Sequence, residues 1–135
     1  MSTTFLKLNA GWNAEPNDPG ERVTVAGGSV TLSFILNPWA YDAEEGERAC
    51  LKFLGCMKWR LGPTNDEGWH RGQCRYSGIA PEWGEFYEIV GPDTVRDEPS
   101  DWQDVDPQSQ GNRHFLFYLR DSTFECLATD WSFVR

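Results

Sequence analysis

The densest mixture of chemical groups in the chain lies in Asn65-Asp66-Glu67-Gly68-Trp69-His70, where two carboxylates, an amide, an indole and an imidazole fall within six residues. A histidine that titrates near neutrality and is oriented by a carboxylate is a general acid/base unit. Asp66, Glu67 and His70 are therefore the catalytic candidates for a small hydrolase or isomerase, with His114 or Glu125 brought in by the fold. Neighbours on a strand point to opposite faces, however. The same residues read as a hairpin turn closed by Asn and Asp side chains, and that reading is favoured.

Asp97, Glu98, Asp101, Asp104 and Asp106 place five carboxylates within ten residues. Calcium takes oxygen ligands at such spacings, but the D-x-[DN]-x-[DN]-G pattern and its distal glutamate are missing. A solvated acidic loop is the favoured reading, and its simplest use is to dock a basic partner. Zinc has a candidate set in Cys50, Cys56, Cys74, Cys126, His70 and His114, without any C-x-x-C. Cys50 and Cys56 on one strand would stand about 20 Å apart, too far for one ion. No metal and no cofactor is expected. Neither a G-x-S-x-G elbow nor a phosphate-binding glycine loop occurs.

Seven tryptophans are many for 135 residues: Trp12, Trp39, Trp59, Trp69, Trp83, Trp102 and Trp131. Exposed indoles stack on sugars, on cations or on partner proteins; buried ones would plug the open ends of a sandwich. The binding candidates are Asn65, Trp69, Trp83, Asp101, Trp102 and Asp104.

Period-2 alternation must position these groups. In residues 48–61 the odd positions read Ala49, Leu51, Phe53, Gly55, Met57, Trp59 and Leu61, while Arg48, Lys52, Lys58 and Arg60 share the other face. Gly55 marks a bulge or bend midway. Val30, Leu32, Phe34 and Leu36 form one face of a strand over 29–37. The glycines Gly27-Gly28 join it to Val23-Thr24-Val25 as a hairpin. Residues 115–119 are apolar on both faces and predict a central strand. It continues into a second hairpin about Asp121-Ser122, with Tyr118 facing Glu125 and Phe117 facing Cys126. Weaker strands are expected over 5–9, 69–76 and 84–90, loops over 63–68 and 107–112, and a short helix over 99–104. The sum is a single all-β domain, or a β-rich α+β one. It is an antiparallel sandwich or partly open barrel of seven to nine strands with one or two short helical turns.

Net charge is −9 and hydrophobic content 39%, with a pI near 4.6. A globular core is within reach, and nucleic acid and anionic membrane surfaces are disfavoured as partners. No apolar run approaches the ~20 residues of a membrane span, and the first residues do not resemble a signal peptide. A cytoplasmic protein with cysteines as thiols is expected.

Three segments together resemble a group of small uncharacterised bacterial proteins: Trp59-Arg60-Leu61-Gly62 followed by Asn65-Asp66-Glu67, His114-Phe115-Leu116-Phe117, and Asp121-Ser122-Thr123-Phe124-Glu125-Cys126. In that group a histidine often precedes the Asp-Ser-Thr, where this chain has Arg120. The resemblance spans residues 48–128 and implies a bacterial origin and a shared fold, with no activity attached. The leading functional expectation is a non-catalytic binding protein, immunity- or adaptor-like, whose acidic and aromatic surface meets a basic protein. The alternatives are the small hydrolase or isomerase above and a carbohydrate or small-ligand binder.

Overall fold

In the computed structural model, residues 4–62, 84–91, 101–119 and 122–135 are described. They form ten strands: β1 (Thr4–Lys7), β2 (Arg22–Ala26), β3 (Ser29–Ile35), β4 (Arg48–Leu54), β5 (Lys58–Gly62), β6 (Phe86–Val90), β7 (Gln103–Asp104), β8 (Arg113–Tyr118), β9 (Thr123–Ala128) and β10 (Asp130–Val134). Six make one antiparallel sheet in the order β1-β6-β8-β9-β5-β7, and four make a second in the order β10-β4-β3-β2. The two sheets do not close into a barrel, so the architecture is broadly a β-sandwich. No helix occurs among the described residues, hence none long and apolar enough to cross a membrane.

The alternating sequence explains the layers. Val30, Leu32 and Phe34 of β3, with Ala49, Leu51 and Phe53 of β4, are all buried on the inner face of the smaller sheet. They meet Phe86, Phe115, Phe117, Phe124 and Cys126 from the larger one. Between the layers, Trp12 lies stacked on Phe133 of β10 at 4.2 Å between ring centroids. This indole fills a core position rather than a loop surface. The β2–β3 hairpin forms as expected, with Ala26 opposite Ser29. Gly27 takes φ +59° at the two-residue turn, where a side chain would be strained.

Four expectations are corrected. Residues 99–104 were read as a short helix; within the described residues Gln103 and Asp104 instead pair with Trp59 and Lys58 as an edge strand. The alternation over 48–61 is not one strand, because the chain changes sheets between Leu54 and Lys58. The second hairpin also has a different register, with Tyr118 opposite Thr123, Phe117 opposite Phe124 and Leu116 opposite Glu125. Finally, ten strands exceed the seven to nine expected. The weak strand over 69–76 and the loop over 63–68 lie outside the described residues.

The sheet change builds a corner. Paired β4 and β10 continue as paired β5 and β9, so two chain segments bend together from one sheet into the other. Sandwich corners are made in this way, by strands that switch sheets at bends. The 55–57 crossing is pinned by hydrogen bonds from Cys56 N to Gly28 O and from Met57 N to Leu127 O, both 2.8 Å. Gly111 packs into this corner. A Cβ there would collide with Gly55 O and stand 2.8 Å from Ala128 Cα, both backbone atoms that cannot swing aside. Gly111→Ala is expected to lower stability by about 1–3 kcal/mol through overpacking. The denaturant midpoint measures this, and an unchanged midpoint contradicts the corner packing.

Candidate functional site

A line of ionisable side chains crosses the outer face of the larger sheet. His114 on β8 and Glu125 on β9 are 2% and 0% exposed, and Arg60 on β5 is 8% exposed. His114 Nε2 lies 2.8 Å from Glu125 Oε1. Arg60 Nη1 donates to Glu125 Oε2 at 2.6 Å. Beyond it, Arg60 Nε and Nη2 donate to the two oxygens of Asp101 at 2.7 and 3.1 Å. Register produces this contact. Arg60 lies directly opposite Glu125, and His114 sits diagonally across from it, next to Leu116. Had Glu125 faced Tyr118, as the sequence suggested, His114 would have stood two residues farther along the strand, four from Glu125's partner instead of two.

The charges set the proton affinities. Burial alone would ease proton loss from Arg60, but its hydrogen bonds and attraction to Asp101 and Glu125 outweigh it and raise its pKa. The guanidinium hydrogen bond holds Asp101 below the usual carboxylate range. A carboxyl with a depressed folded pKa contributes stability that is complete above its unfolded pKa, near 4, and is lost as pH falls through the folded value. Asp101→Asn is therefore expected to flatten the acid limb of stability below about pH 4. Urea midpoints against pH measure this, and an identical slope in the variant contradicts it.

These groups form one continuous hydrogen-bonded brace across β8, β9 and β5. A general acid or base must touch the proton it moves, and both oxygens of Glu125 are engaged. The half-buried Trp102 ring lies 6.3 Å from the His114 ring, and Lys58 Nζ stands 4.8 Å from the Trp102 centroid. Of the candidates read from the sequence, Asp101 is thus tied to Arg60, Trp102 packs over the brace, and Asp104 is exposed on β7. Asn65, Asp66, Glu67, Trp69, His70 and Trp83 lie outside the described residues. Among the described residues no group of three or more His, Cys, Asp or Glu is placed to hold a metal. The buried Cys56 Sγ donates to Lys58 O at 3.4 Å, and its thiol also interacts with that of Cys126. The interaction with the neighbouring thiol lowers the pKa of Cys56, while burial pushes that of Cys126 well up.

A second feature was assigned no site from sequence. At one end of the sandwich the loops before β2 and before β4 enclose an open cleft of about 330 Å³. It is lined by Glu15, Asp18 and Glu45, by Ile35 and Pro38, and by Trp39, whose indole is 71% exposed. Among the described residues the lining contains no cationic side chain. Local bonds fix both walls. Glu15 Oε2 accepts from the backbone N–H groups of Asn17 and Asp18, and Glu15 N and Ile35 N bond to Ile35 O and Pro19 O. Asn37 Oδ1 accepts from Trp39 N at 2.9 Å, setting the turn that presents the indole. Arg135 bridges Glu47 and the Asp42 carbonyl behind the second loop. The available signals were Glu15-Pro16-Asn17-Asp18 and Asn37-Pro38-Trp39, two turn sequences carrying chemistry. Their convergence depends on long-range pairing that periodicity does not encode.

Comparison with protein-family models, with curated proteins and with solved structures finds no match to this chain.

Proposed function

We propose that this is a non-catalytic binding protein that docks a basic protein against its acidic, aromatic cleft. The observation that carries the reading is the largely exposed Trp39 beside Glu15, Asp18 and Glu45, in a lining without a cation among the described residues. An indole exposed to this degree at the rim of an acidic cleft presents its face for stacking against a cation. The net charge of −9 supports the same partner, because it steers a basic protein toward the surface. The inward closure of the His114–Glu125–Arg60–Asp101 brace is consistent with a structural use of those groups. An immunity-type or adaptor protein acting in the cytoplasm would have this size and charge. The hydrolase or isomerase alternative rests on Asp66, Glu67 and His70, which lie outside the described residues.

The test uses protamine as a basic probe in calorimetry at low and high salt. Binding is expected that weakens steeply with salt and is lost in Asp18→Lys/Glu45→Lys. It is expected to persist in Asp104→Lys/Asp106→Lys, which changes net charge equally at exposed positions away from the cleft. Equal losses in the two variants would reduce the interaction to net charge and remove the cleft from it.

A further inference from the structure

We propose that the cleft receives one arginine side chain of the basic partner, its guanidinium stacked on Trp39 and held by the carboxylates of Asp18 and Glu45. This rests on the docking reading above and assigns its central contact. The cleft, at about 330 Å³, stands at the small end of ligand pockets, so it accommodates a side chain rather than a folded element. Its lining divides into three kinds of surface that together match one side chain. Ile35 and Pro38 offer apolar surface for the methylene stem of a long cationic residue. Trp39 offers an aromatic face, the best of the three ring types for a cation. Asp18 and Glu45 come from opposite loops, and among the described residues no cation pairs with either.

Guanidinium fits this set better than ammonium. It is planar and weakly hydrated, so it can lie on the indole while its edges donate to two carboxylates at once. A lysine ammonium is a compact, strongly hydrated point charge and gains less from the ring. The walls are already fixed by Asn37, Glu15 and Arg135, so the partner's side chain meets a formed site and little loop ordering opposes binding. An exposed aromatic anchor beside charged groups is also the usual make-up of a binding hot spot.

The experiment titrates the full chain, with its tryptophan indoles labelled by ¹⁵N, with short glycine–serine peptides carrying arginine, lysine or citrulline at the same spaced positions. Free arginine is included as a further arm. The Trp39 indole signal is assigned by its disappearance in Trp39→Phe. That signal is expected to move with the arginine peptide, which should bind about tenfold more tightly than the lysine peptide, while citrulline leaves the signal still. Trp39→Ala and Asp18→Asn/Glu45→Gln should each weaken arginine-peptide binding by about tenfold. An arginine peptide that binds without moving the Trp39 signal overturns the inference and leaves the docking reading intact. So does equal affinity for lysine. Free arginine binding as tightly as the peptide would replace the partner's side chain with a small-molecule ligand. Failure of every peptide while protamine, whose charge is itself arginine, still binds through Asp18 and Glu45 overturns the single-side-chain contact and leaves the docking reading intact; failure of protamine as well removes both proposals.

Discussion

Arg60→Met is expected to lower the unfolding free energy by about 3–5 kcal/mol, because it takes the guanidinium away from a buried carboxylate. Glu125 is 0% exposed at the centre of β9 and receives Arg60 Nη1 at 2.6 Å. Methionine would fill much of the space of the arginine stem but supply no charge. Asp101 loses the same partner, yet its side chain is 45% exposed and water can take over its hydrogen bonds. The cost therefore resides on the Glu125 side, and Asp101→Ala should be much milder than Arg60→Met. A double variant separates the causes. In Arg60→Met/Glu125→Gln the buried charge is gone, while the amide can still bond to His114, so most of the lost stability should return. Removing both members of a buried pair is often near neutral, whereas removing one is not. Urea unfolding of the three variants and the parent gives the cycle. A single-variant loss below about 1 kcal/mol, the range of exposed pairs, would mean that Glu125 is hydrated after all.

The distribution of what the sequence could and could not reveal follows from the range of each interaction. The β2–β3 hairpin was legible because alternation and Gly27-Gly28 are local signals that agree. The aromatic strand of residues 115–119 was legible because nothing but burial on both faces accommodates it. Gly55 was rightly read as a bend. That the bend carries the chain into the other sheet was not readable, since a sheet change depends on which strands pair across it. The brace shows the same limit at finer grain. Shifting the last hairpin by two residues leaves every side chain on its face. Alternation therefore cannot distinguish the registers, and yet the shift decides whether His114 reaches Glu125. The cleft is assembled from two loops that periodicity treats as gaps.

Phe53→Ala is expected to cost about 3–5 kcal/mol, the range for removing a buried phenylalanine. Phe53 comes from β4, in the four-stranded sheet, and is 0% exposed. Its ring centroid lies 5.9, 5.4 and 5.5 Å from those of Phe86, Phe115 and Phe124, one each from β6, β8 and β9 of the opposite sheet. Three strands of one layer thus converge on one residue of the other, and they are held apart by their own hydrogen-bonded spacing. Strands cannot close by several ångströms to fill the space without breaking that ladder, so the cavity should survive and the cavity contribution should be close to its full value. Phe53→Leu leaves a smaller void and should cost well under half as much. Trp39→Ala serves as the counterpart: it removes a larger ring, but one that is 71% exposed, and surface substitutions stay within about 0.5 kcal/mol. Denaturant midpoints at constant m-value measure all three. If Trp39→Ala costs as much as Phe53→Ala, the indole is a structural plug, and its exposure can no longer be assigned to a partner. If only Phe53→Ala is costly, the chain maintains Trp39 on its surface without needing it for stability, as a docking residue requires.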